Sequence, residues 1–266
     1  MIRVLTSLAA AALALLPLAA HAQGNSDEEL AKQLTNPVAH LISVPLQNNY
    51  DCCYGPANGG RYTLNVQPVI PFTLNADWSL IVRTIVPLVS QSETVKGGGS
   101  SFGMSDTTQS FFFSPKPSAS GLIWAIGPAL LYPTATDPDL GSKKWGAGPT
   151  FLILKQGGGL TYGLLANHIW SYAGSGSRSD ISTTFLQPFI SYTLPSTTGF
   201  TANLESSYDW VAKQWTVPLN LSVSHLYVFG KQRVSLGVGG KVYLQSPSGG
   251  PDWGLRMTAT FLFPTG

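Results

Sequence analysis

Charge is scarce in this chain. Only 11% of its 266 residues are Asp, Glu, Lys or Arg, against about 25% in ordinary soluble proteins. The 15 Lys and Arg nearly cancel the 13 Asp and Glu, and no basic block occurs, so nucleic acid is not an expected partner. Nor is there an apolar run of about 18 residues beyond the N-terminus, which excludes a transmembrane helix. Such a chain must hide its uncharged surface by other means. Cysteine is almost missing too: Cys52 and Cys53 are adjacent, a spacing that fits no disulfide framework, zinc site or Cys-x-x-Cys motif. They are two loop thiols or a strained local bridge, with a redox or metal role as the alternative. A Walker loop, a carboxylate pair with useful local spacing and a His/Cys metal cluster are all lacking, so no cofactor or metal is expected.

The first residues are informative. Arg3 supplies a positive start, "AAAALALLPLA" a short apolar stretch, and Ala20-His21-Ala22 small residues at cleavage positions. This pattern predicts a secretory signal peptide over 1–22. Its removal leaves 266 − 22 = 244 residues, enough for one large all-β domain.

The remainder alternates. In "QWTVPLNLSVSHLYVFG", Trp215, Val217, Leu219, Leu221, Val223, Tyr227 and Phe229 fall on one parity and Thr216, Asn220, Ser222 and Ser224 on the other. That is a β-strand with two unlike faces. About twelve such segments follow one another, separated by Gly, Pro, Ser and Asp clusters, with short and long connections alternating. Together they predict an all-β protein: a transmembrane antiparallel up-and-down β-barrel of about 12 strands, apolar outside and polar inside. Spacing agrees with a membrane. Tyr62 to Phe72 and Trp253 to Phe263 each span ten steps; at about 3.3 Å per step and a tilt of about 40°, that rises roughly 25 Å, the height of the lipid-facing band between aromatic girdles. His225 falls on the lipid-facing parity. Six prolines, Pro68, Pro87, Pro128, Pro149, Pro188 and Pro218, lie inside expected strands, where bulges must accommodate them.

Before the barrel, "NSDEELAKQLTNP" carries Ser26 as N-cap, Glu29 three residues later and Asn36-Pro37 as a stop, predicting a short N-terminal helix. The segment 23–38 is either a periplasmic tail or a plug in the lumen, and 39–266 forms the outer-membrane barrel.

The stretches "QPVIPFTLNADWSLIVRTIVP", "FFFSPKP", "PTATDPDLGSKKWGAGP", "NHIWSYAG", "TFLQPF", "YDWVAKQWTVPLN" and "GPDWGLRMTATFLFP" resemble the outer-membrane barrels of the meta-pathway phenol-degradation group. The resemblance spans nearly the whole mature chain. It implies an outer-membrane location in a Gram-negative bacterium and a transport role. Expected partners are outer-membrane lipid, a small-molecule solute and the barrel-assembly machinery during biogenesis. Phe263, three residues before the end, takes the place of the terminal aromatic on which many barrels close.

A barrel of this size has room for a narrow pore. Parity places Arg61, Lys144, Arg233, Lys241 and Arg256 inward. Arg83 joins them, because an Arg facing mid-bilayer lipid costs about 2–4 kcal/mol. Inward acids are fewer, Glu205 and Asp209, and Asn65 and Gln67 add amides. The expected lumen-lining set is therefore Arg83, Arg233, Lys241, Arg256, Glu205, Asn65 and Gln67, favouring anionic or aromatic solutes. Alternatively these charges pair across the lumen and hold it rigid. Ile85 and Val89 share Arg83's parity, giving the lumen an apolar part. Two other classes stay open: a structural or surface-recognition barrel with a closed lumen, and an outer-membrane lipid hydrolase. The hydrolase needs a nucleophile beside a base, and no His-x-Ser occurs, so no catalytic residue is expected. In "DPDLGSKK", Asp137 and Asp139 offer either a cation site or a solvated loop.

Overall fold

In hydrocarbon every backbone N–H and C=O needs a partner within the protein, and a sheet achieves this only by closing on itself. A computed structural model shows the chain doing so. It describes residues 27–55, 57–94, 99–118 and 120–264; the expected signal peptide and Ser26 lie outside them. One helix, α1 (Asp27–Gln33), precedes the strands β1 (Ile42–Tyr54), β2 (Gly59–Val66), β3 (Val69–Thr73), β4 (Trp78–Ser92), β5 (Ser100–Met104), β6 (Thr107–Pro115), β7 (Leu122–Tyr132) and β8 (Lys144–Gly157). They continue as β9 (Leu160–Gly174), β10 (Ser182–Thr193), β11 (Thr198–Leu204), β12 (Ser206–Asp209), β13 (Gln214–Phe229), β14 (Gln232–Gln245) and β15 (Trp253–Phe263). The pairs β2/β3, β5/β6 and β11/β12 are each one stave broken in the middle, so fifteen segments make twelve staves. All pairings are antiparallel between neighbours, and β15 closes on β1 from Ile42↔Phe263 to Cys52↔Trp253.

Alternation decides which residues face outward. On β13, Leu221, Tyr227 and Phe229 are exposed outward, while Asn220 is 3% exposed on the inner face. Outer aromatics stand at both ends of the expected intervals: Tyr62 and Phe72, Trp253 and Phe263. His225 sits in the outer aromatic belt, bonded to Thr198 Oγ1 at 2.9 Å and edge-on to Tyr227.

The prolines fall where the ladder is already broken. At the β2/β3 break the Gln67 N–H reaches Pro45 O, and Pro68 O accepts from Thr84 N. The β5/β6 break puts Ser105 N on Pro87 O, and the β11/β12 break puts Glu205 N on Pro218 O. Pro188 stands where β10 passes from pairing with β12 to pairing with β11. Pro128 and Pro149 face each other across β7 and β8. Residues that cannot donate are thus grouped at positions that need no donor.

Inside, the barrel has two unlike halves. Ile81, Phe112, Ile123, Ala125, Leu152, Leu154 and Leu165 form an apolar inner wall. The opposite wall, on β1, β2, β11, β13 and β15, is polar.

Candidate functional site

On the polar wall, side chains from β1, β2, β4 and β15 and from the β2/β3 and β11/β12 breaks form one hydrogen-bonded network. Gln47 Oε1, on β1, accepts from Asn49 Nδ2 (3.4 Å), Asn65 Nδ2 (3.3 Å) and Gln67 Nε2 (3.2 Å). Gln67 in turn accepts from the Arg83 guanidinium through Oε1 at 2.9 Å. On the other side, Asn49 Oδ1 accepts from Arg256 Nε at 2.7 Å. Arg256 then grips Glu205 with two parallel bonds, Nη1–Oε1 at 2.7 Å and Nη2–Oε2 at 2.8 Å. Such a fork is the strong form of a charge-assisted bond. Glu205 owes its position to the β11/β12 break, which turns its side chain into the lumen as the strand restarts at Ser206.

Nearer the long-loop rim, Lys241 Nζ meets Asp51 Oδ1 at 2.7 Å, and the Tyr243 hydroxyl donates to the same oxygen at 2.9 Å. Lys144 is 7% exposed and paired with Asp180 of the 175–181 loop at 2.8 Å. The Lys144 ammonium beside it holds the Asp180 carboxyl below its ordinary value.

Of the expected lumen set, Arg83, Arg256, Glu205, Asn65 and Gln67 belong to the network. Lys241 stands one layer away on Asp51. Arg233 lies apart at the short-turn rim, bonded through Nε to Asp27 Oδ1 of α1 at 2.6 Å. Asp209 does not face the lumen: its Oδ1 accepts from Val211 N and Ala212 N and closes the 210–213 turn. Asp137 similarly accepts from Asp139 N at 2.8 Å, a loop-shaping role. Val89 is 1% exposed on the inner face. Three lumen-facing residues, Gln47 and Asn49 of the network and Asp51 beyond it, escape a reading by pattern. The "NNYDCCY" stretch reads as loop, yet β1 continues through it to Tyr54. Cys52 and Cys53 form a disulfide there, with Cys53 at φ 75°.

The N-terminal segment enters the lumen from the short-turn end. Leu30, Ala31, Ala39 and Leu41 pack with inward Leu226 and Leu262, and Val38 packs into the apolar inner wall. Gln156 Nε2 donates to Lys32 O at 2.8 Å and to Thr35 Oγ1 at 3.1 Å, and the Thr35 and Thr161 hydroxyls are 2.7 Å apart. Between this segment and the polar network lies a cavity of about 320 Å³.

On the outer surface, His168 has a hydroxyl at each ring nitrogen: Thr184 Oγ1 at 2.7 Å and Ser182 Oγ at 3.4 Å. Trp210 Nε1 donates to the same Thr184 oxygen, and Trp170 lies against the imidazole. The Ser–His separation is long for a hydrogen bond, and a neutral Thr stands where an acid or amide would orient a base.

No family model and no curated protein matches the chain. Solved structures do match. The COG4313 outer membrane channel from Pseudomonas putida F1 is 14% identical, with a TM-score of 0.66 over 84% of this chain and 96% of that one. An active-site mutant of outer membrane phospholipase A from Escherichia coli is 10% identical, with a TM-score of 0.50 over 88% of this chain and 98% of that one. The CymD monoaromatic hydrocarbon channel is 9% identical, with a TM-score of 0.45 over 88% of this chain and 92% of that one. What the chain shares with the first two of these is a fold, the closed antiparallel β-barrel.

Proposed function

We propose that this chain is an outer-membrane channel for small anionic or aromatic solutes, held closed at its short-turn end by its own N-terminal segment. One observation carries the reading: a continuous polar network, running from Arg83 through Gln67, Gln47 and Asn49 to Arg256 and Glu205, faces a lumen cavity floored by residues 34–41. A barrel needed only as a wall is cheaper to fill with apolar side chains than with charges that must each be desolvated. Arg83, Lys241, Arg256, Glu205, Asn65 and Gln67 line the solute path, and Arg233 holds the closing segment through Asp27. Arg83 and Arg256 against Glu205 leave the cavity one positive charge in excess, which favours anions.

The outer-membrane location, the cleaved leader over 1–22 and membership of the meta-pathway phenol-degradation group belong to the same reading. The fold shared with a Pseudomonas outer membrane channel supports it. Against a lipid hydrolase stands the outer-surface geometry, in which His168 is braced by Thr184 and Ser182 lies 3.4 Å away.

Planar-bilayer recording tests the proposal. Full-length protein is expected to give rare, brief openings, and a variant lacking residues 23–37 steady current steps with anion preference. Silence from the truncated protein, shown to be folded and inserted, would overturn the channel and favour a closed structural barrel.

A further inference from the structure

Resting on the channel reading and deepening it, we infer that the lumen cavity is a saturable binding site for one monocarboxylate with a compact apolar body, anchored by Arg83. The three deep cations are not equivalent. Arg256 commits its charge and three of its five donors to the Glu205 fork and Asn49, and Lys241 is bound to Asp51. Arg83 takes part in none of the ion pairs among the described residues. Its one side-chain hydrogen bond there is with a neutral amide, Gln67 Oε1. A guanidinium has five N–H donors in a planar fork, so Arg83 keeps most of its capacity, and it lines the cavity. Glu205, both of whose oxygens Arg256 holds, acts on Arg83 only from beyond ion-pair distance; a buried cation without a counter-ion of its own is costly, and an anion that enters relieves that cost.

A second atom points the same way. Thr193, 3% exposed, lines the cavity, and its Oγ1 has no partner among the described residues. A buried hydroxyl of this kind normally has one.

Charge selects a monoanion. The Glu205 carboxylate faces the same cavity, but Arg256 engages both its oxygens, so the surplus inside is a single positive charge. One carboxylate neutralises it; a divalent anion would overshoot beside Glu205. Shape and polarity select the rest of the molecule. Phe189, Val69, Leu34 and Pro37 form apolar parts of the wall. At about 320 Å³ the cavity lies at the small end of ligand sites, which run from about 300 to 1,000 Å³.

Calorimetric titration of the folded full-length protein in detergent, with sodium benzoate as probe and uncharged benzamide as its isostere, tests the inference. Saturable one-to-one benzoate binding is expected, with benzamide about tenfold or more weaker, and with Arg83→Gln losing about tenfold or more for benzoate alone. Arg83→Lys, which keeps the charge but loses the fork, is expected between the two and serves if Arg83→Gln does not fold. Lys213→Gln, in an extracellular turn, is expected to bind as wild type. Equal binding of benzoate and benzamide, unchanged benzoate binding in the folded Arg83 variants, or no binding of either probe would overturn the site. The readout needs no current: a silent barrel that binds benzoate sinks the channel alone, and a conducting barrel that ignores benzoate sinks the site alone.

Discussion

Arg256 and Glu205 are joined across the lumen by two parallel hydrogen bonds, of 2.7 and 2.8 Å, between β15 and the break that separates β11 from β12. Their side chains are 11% and 23% exposed. Removing one partner of a buried pair strands the other charge, at a cost of about 3–5 kcal/mol when burial is complete. Here Arg256→Met is expected to lose about 2–4 kcal/mol, read from urea unfolding of the refolded barrel. The double change Arg256→Met with Glu205→Leu is expected to recover most of that loss.

Val38 is 6% exposed among Ile81, Phe112 and Leu152. A carboxylate in that apolar wall is unpaired and costly, so Val38→Asp is expected to expel the segment. Single-channel recording should show open probability rising toward that of the variant lacking residues 23–37, with step size unchanged.

Gly148 sits where a Cβ would come 1.7 Å from the His168 carbonyl oxygen, whereas a Cβ on Gly240 meets nothing. Backbone cannot yield as a side-chain tip does, so Gly148→Ala is expected to cost about 1–3 kcal/mol or more. Gly240→Ala, on the open outer face, is expected to be near neutral in the same unfolding assay.

Asp180 has its carboxyl held below the ordinary value of 3.8 by the Lys144 ammonium. A depressed carboxyl gives stability that is present above its unfolded pKa and lost as pH falls through the lower folded value. The tether of the 175–181 loop to β8 is therefore expected to hold from neutrality down to about pH 4 and to loosen below it. Amide exchange at Ser171 and Ile181, which the loop joins by a hydrogen bond, reads this. Lys144→Gln is expected to abolish the pH step.

Much of this architecture is legible in the chain because a period of two marks a strand's faces without reference to its partners. Trp253, Leu255 and Met257 announce lipid as plainly as Arg256 and Thr258 announce the lumen. What pattern cannot supply is pairing. Lys241 meets Asp51 from 190 residues away and Arg256 meets Glu205 from 51 away, and nothing local to either foretells the partner. Asp51 was further hidden by its neighbours, since Tyr-Asp-Cys-Cys looks like a loop and is a strand end. The strand prolines look like errors in the chain alone. They make sense once Pro68, Pro87 and Pro218 are seen offering carbonyls at the three breaks. Nor does periodicity reveal the apolar inner wall that receives Val38, because strands apolar on both faces lose the contrast that alternation depends on.

Closure of the lumen by the N-terminal segment can be tested at a single contact. The Thr35 and Thr161 hydroxyls, 2.7 Å apart, allow that contact to be locked: Thr35→Cys with Thr161→Cys should form a disulfide between segment and wall. Current through the doubly substituted protein is to be recorded before and after adding a thiol reductant, with wild type under the same reductant as the control for the native Cys52–Cys53 bond. Silence when cross-linked and discrete openings after reduction are the predicted result. Steady current through the cross-linked protein would contradict the account.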